Sequence, residues 1–145
     1  MFEMLLLSGG GGKPIYYDSG PGPQQLAFGD TNLGFFGEVT QSDLLSASAL
    51  LAQLPELASN GYQSATVTWL KFAYKGKYLF IARAPVFTSM NWNKLYGSGL
   101  VHGSDDVGPF NNGFPTNQVR LVTSGPYRVK ARTMGSSYFP CQKWR

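Results

Sequence analysis

The chain has 145 residues, enough to bury a core without disulfides or metal staples. Charged residues make up only 14%, against 18 glycines, 9 prolines and 14% aromatics, which speaks against a largely helical enzyme and fits a loop-rich β protein or an assembly subunit. The formal charge of +4 comes from basic positions that alternate with apolar ones in the C-terminal third, too thin a footprint for nucleic acid, and the single cysteine, Cys141, excludes an internal disulfide.

In chain order, Met1 to Leu7 carries Leu5-Leu6-Leu7 without a basic start and with too few apolar residues for a signal peptide or a membrane span, so no membrane partner is expected. Residues 1–38 read as a Gly/Pro-rich N-terminal arm: Gly9 to Gly12, Gly20-Pro21-Gly22-Pro23, Gly29, Gly34 and Gly37 forbid a continuous helix. The tetraglycine lacks the Gly-Lys-Ser/Thr ending of a phosphate loop. Tyr16, Tyr17, Phe35 and Phe36 are poor passengers on a free tail, so the arm is expected to pack on its own domain or on a neighbouring subunit.

Residues 39–145 read as one β-rich domain. Leu44, Ala47, Leu51 and Leu54 recur at helical spacing, predicting a helix over about 41–54 with Thr40 as N-cap, Asp43 in the first turn and Pro55 closing it. The central segment, about 65–84, alternates as a hairpin: Leu70, Phe72 and Tyr74 face one way and Val67, Trp69, Lys71 and Ala73 the other, with Lys75-Gly76 as the turn. Both of its faces are apolar near the middle, so both are expected to be covered, one by the helix and the other by the arm or a neighbouring subunit. Met90 to Tyr96 predicts a short helical turn capped by Ser89 or Asn91 and ended by Gly97. A Gly-rich loop over 97–117 holds His102, Asp105 and Asp106, weak candidates for a ligand loop, because the oxygen-ligand spacing of a Ca²⁺ site is missing and adjacent Asp residues form turns. A second hairpin over about 118–133 sends Val119, Leu121 and Thr123 up one strand, turns at Ser124-Gly125-Pro126, and returns with Tyr127, Val129 and Ala131 alternating with Arg128, Lys130 and Arg132. The fold class is therefore α+β, β-dominated: an antiparallel sheet of two hairpins with one packed helix and a long irregular arm.

No spacing of nucleophile, base and acid emerges, His102 and Cys141 being the lone members of their types, so neither catalysis, a metal site nor a cofactor is expected. From about residue 26 to 134 the order of pieces resembles small structural proteins, and domains of tail proteins, in the virions of tailed bacteriophages. The resemblance rests on Trp69-Leu70-Lys71-Phe72, the Gly76-Lys77 turn, Arg83 and Pro85, then Trp92, Gly103 and Tyr127-Arg128-Val129. It implies a virion subunit assembled in the host cytoplasm, tail-associated (baseplate, tail or fibre attachment), whose partners are itself and other virion proteins. The lone Cys141 and the short chain do not match a complete lectin-like receptor domain, which favours assembly over host recognition. A host-glycan-binding module and a head decoration protein stand as alternatives. Interface candidates are Tyr16, Tyr17, Phe35, Phe36, Trp92, Tyr96, Phe110 and Phe114, each of which has a local core role as its competing reading.

Overall fold

The computed structural model describes residues 14–57, 62–108 and 115–134. Its centre is an antiparallel sheet of four strands in the order β1-β2-β4-β5, comprising Phe28–Gly29, Leu33–Thr40, Thr68–Tyr74 and Lys77–Ala82. The central hairpin, β4 and β5, forms as the sequence predicts. Trp69 pairs with Ala82 and Tyr74 with Lys77, and the turn residues Lys75 and Gly76 both take positive φ, 49° and 71°. Two further strand pairs stand apart from this sheet, β3 (Tyr62–Gln63) with β6 (Phe87–Thr88), and β7 (Arg120–Ser124) with β8 (Tyr127–Ala131). The β-dominated α+β class holds, with the two expected hairpins in separate sheets.

The segment read as an irregular arm contains the largest departure, because its end is a strand. β2 pairs along its length with β4, and β1 adds to its other edge. The residues hid this strand by switching parity midway. Phe35 shares a face with Phe72, yet Val39, also odd-numbered, lies on the opposite face with Trp69. A β-bulge reconciles the two halves: the register shifts between Phe35 and Gly37, Phe36 is the extra residue, and Gly37 takes φ 135°, a region open to glycine.

The predicted helix is also shorter than its periodicity. Thr40 ends β2 and caps only a turn, its hydroxyl accepting from Asp43 N–H at 3.3 Å, while α1 covers Ala47–Ala52 with Ser46 as N-cap, Ser46 Oγ accepting from Ala49 N–H at 3.1 Å. Tertiary donors explain the late start. Leu44 and Leu45 carbonyls, which a longer helix would spend on its own next turn, instead accept from Ser124 Oγ at 2.6 Å and Trp69 Nε1 at 2.8 Å. After Gln53 the chain tightens into a single 3₁₀ turn, Pro55–Leu57. The second helix, α2 (Trp92–Gly97), is capped as expected by Asn91, whose Oδ1 accepts from Lys94 N–H at 2.9 Å.

One face of the main sheet looks into the core. Val39 and Trp69 on that face meet Leu44 and Leu45 from the helical segment and Val122 and Val129 from the β7–β8 hairpin. A second cluster, Leu54, Leu57 and Leu100, ties the 3₁₀ turn to the chain just after α2. The β7–β8 hairpin corrects the expected facing of its first arm: Val122 is buried and Leu121 lies exposed opposite Lys130. The polar side chains beside Val122 account for this parity, because they bond to the helical segment. Arg120 reaches the Gln53 carbonyl at 2.7 Å and Glu56 at 3.2 Å, and Ser124 reaches Leu44. Gln53 completes the dock by pairing its amide with both the N–H and the C=O of Thr123, at 2.7 and 2.9 Å, as a neighbouring strand would.

Candidate functional site

Lys71 sits on the core-facing side of β4 and is 0% exposed. Its ammonium donates to the carbonyls of Pro23, Pro21 and Gly20 at 2.7, 2.8 and 3.3 Å, and lies 4.9 and 5.8 Å from the ring centroids of Phe36 and Phe80. Three carbonyl dipoles and two ring faces favour the cation. Loss of water outweighs them and lowers its pKa from 10.5 to about 8. The Gly-Pro-Gly-Pro segment thus becomes a strap across the sheet, pinned by one interior charge. Gln24 shapes the strap from within, accepting from Ser19 N–H and Oγ at 3.0 and 2.9 Å and donating to the Gly20 and Gly22 carbonyls. Gly22 has no room for a side chain, since a Cβ would lie 2.5 Å from a Val39 methyl. From Tyr17 onward the arm therefore packs on its own sheet, while Ile15 and Tyr16 are exposed. Sequence reasoning placed Lys71 on this face without assigning it a partner; its position between Trp69 and Ala73, at the parity of a buried strand face, was the available signal.

The opposite face of the same sheet is a surface of different character. Cross-strand register places Phe28, Phe35, Phe72 and Leu79 in one row across all four strands, with ring centroids 5.3 Å apart for Phe28 and Phe35 and 5.0 Å for Phe35 and Phe72. Leu33 and Tyr74 lie in the row on one side, Leu70 and Ile81 on the other. None of these side chains joins either buried cluster, and Phe28 and Leu33 are 67% and 71% exposed. Polar groups bound the patch, with Lys77 opposite Tyr74 at the turn end and the Arg83–Glu38 ion pair, 2.7 Å, at the other.

The interface candidates divide by this geometry. Phe36 and Tyr96, expected as exposed aromatics, are each only 3% exposed and belong to the interior. Phe36 is the bulge residue, set edge-on to Tyr17 and Tyr78, and Tyr96 Oη bridges the loop by donating to the Val107 carbonyl and accepting from Thr116 N–H at 3.0 and 3.2 Å. Phe35 lies in the outer row, Tyr17 is half-buried, and Tyr16 is exposed. Trp92 is 40% exposed and stacked on Tyr96, with centroids 5.0 Å apart and planes 15° from parallel. Phe110, Phe114 and Cys141 lie outside the described residues, as do residues 1–13. The outer face itself was only half anticipated: Phe28 and Leu33 could join it only once β1 and β2 were known to be strands.

The loop carboxylates are engaged in shaping backbone. Asp106 Oδ1 accepts from Ser104 Oγ and Gly108 N–H, both at 2.7 Å, and Asp105 accepts from Asn117 Nδ2 at 2.9 Å. His102 packs so closely on Gly108 that a Cβ there would overlap its ring, and its buried Nε2 has no hydrogen-bond partner among the described residues. Those residues hold no group of three or more His, Cys, Asp or Glu arranged for a metal ion. Gln118, 0% exposed, organises the loop: its Oε1 accepts from Val101 N–H at 3.0 Å while Nε2 donates to the Tyr96 and Thr116 carbonyls at 3.0 and 2.7 Å. Comparisons with protein-family models, with curated proteins and with solved structures return no match.

Proposed function

We propose that this chain is a structural subunit that works through protein–protein burial. On the resemblance of residues 26–134, it is a component of a tailed-bacteriophage virion, tail-associated at the baseplate, tail or fibre attachment. The observation that supports an assembly role is the apolar outer face of the four-stranded sheet, with Phe28 and Leu33 largely in solvent and charges only at its margins. An apolar centre within a polar rim is the anatomy of a protein interface, and patches of this kind on an isolated chain mark interaction sites. Mass spectrometry of intact and tailless particles tests the placement: the protein is expected in the former and absent from the latter, and its absence from both would overturn the reading.

A receptor-binding role is the second reading, favoured by Trp92. One side of its ring rests on Tyr96, whose hydroxyl is fixed from both sides, so the exposed part of the indole forms a rigid platform suited to stacking on a sugar. Reproducible binding on a glycan array, lost in Trp92→Ala, is the outcome this reading requires.

A further inference from the structure

We propose that the outer face of the four-stranded sheet is closed by the same face of a second copy of this chain, in a two-fold sheet-on-sheet dimer. This rests on the assembly reading and names its first partner. A sheet face that is apolar at its centre must be covered or remain a liability, and the sheet's other face is already occupied by the helical segment, the strap and the β7–β8 hairpin.

The area points to a second copy, and the uncharged centre of the face suits one. Taking about 200 Å² for a large apolar side chain, the exposed fractions along the outer rows amount to roughly 500–600 Å². With the polar rim added, each partner reaches the ~800 Å² that a stable interface of standard size contributes. A two-fold contact must be self-complementary, and this face is. Its centre carries no charge. When two sheets are laid face to face about such an axis with strands roughly antiparallel, each strand stacks on its own copy, and the charged groups stay at the rim, where Arg83 and Glu38 are already paired within one chain. Leu33, the most exposed apolar residue of this face, and Phe28 then fill the space left beside the partner's short β1.

Sedimentation equilibrium of the purified full chain tests this. The expected species is a dimer of the 15.8 kDa chain. Leu33→Glu is expected to weaken dimerisation at least tenfold with an unchanged circular dichroism spectrum, whereas Leu121→Glu, on the separate β7–β8 hairpin, leaves it intact. Should Leu33→Glu fail to fold, Leu79→Lys serves on the same face. A wild-type monomer at 100 µM, or a dimer insensitive to both Leu33→Glu and Leu79→Lys, overturns the proposal. Incorporation of Leu33→Glu into particles separates the two levels. If the wild-type chain is monomeric but the variant is not incorporated, the second copy is wrong and the assembly reading stands. If the monomeric variant is incorporated as efficiently as wild type, both fall.

Discussion

Lys71 is a cation taken wholly out of water and held by backbone carbonyls in place of a carboxylate. Such an arrangement is stable only while every acceptor is in position, since an ammonium without partners in the interior is far costlier than one in solvent. Lys71→Met removes the buried charge and leaves the Pro21 and Pro23 carbonyls without their Lys71 donor, so a net loss of ~1–3 kcal/mol is expected in urea denaturation. The pH dependence has a definite sign. With a folded-state pKa of about 8 against 10.5, the unfolded chain binds the extra proton between those values, so stability rises with pH across that window, by up to ~3 kcal/mol, and is unaffected by this group below it. Subtracting the Lys71→Met curve from the wild-type curve isolates this rise from the titration of the other lysines and tyrosines. Gln118 is the neutral counterpart. Gln118→Ala removes the side-chain acceptor of Val101 N–H and the amide donor to the Tyr96 and Thr116 carbonyls, and is expected to cost ~1–3 kcal/mol, measurable as a lowered midpoint with unchanged slope.

Among the elements, turns and bulges decide where the side chains point. Lys75 occupies the first central position of a turn whose two residues both have positive φ, so Lys75→Asn is expected to stabilise the chain by roughly 0.5 kcal/mol in thermal unfolding. Gly37 is the opposite case. At φ 135° a Cβ is strained, and Gly37→Ala is expected to cost ~1–3 kcal/mol. The same features explain what the sequence made legible. The central hairpin could be read because its alternation, its turn and its length all agree. β2 could not, because the bulge at Phe36 reverses parity inside eight residues and Gly34 and Gly37 mask the strand's propensity. The start of α1 was hidden for another reason: whether Leu44 and Leu45 carbonyls serve a helix depends on Ser124 and Trp69, which are distant in the chain. The facing of β7 was likewise set by Gln53 and Glu56, more than sixty residues away. Of the site, the middle of the outer row was readable from Leu70, Phe72 and Tyr74. The contribution of Phe28 and Leu33 required the tertiary pairing.

For the molecule as a whole, the two faces of one sheet have opposite fates. The inner face is closed three times over by its own chain, while the outer face, with its aromatic row, is where the dimer is expected to form and where Leu33→Glu should act without disturbing the interior. The strap over the inner face also orders events in time. The two arms of the central hairpin lie next to each other in the chain and meet readily, but residues 20–23 must find a partner some fifty positions away. Their carbonyls are synthesised long before the ammonium that holds them, and docking them first would fix a loop with nothing to hold it. Closure of the strap is thus expected to follow the transition state, so that Lys71→Met hastens unfolding in stopped-flow experiments and leaves the refolding rate nearly unchanged. A side chain that looks like a static pin would act as a clasp fastened last, setting how long the folded chain survives more than how quickly it forms.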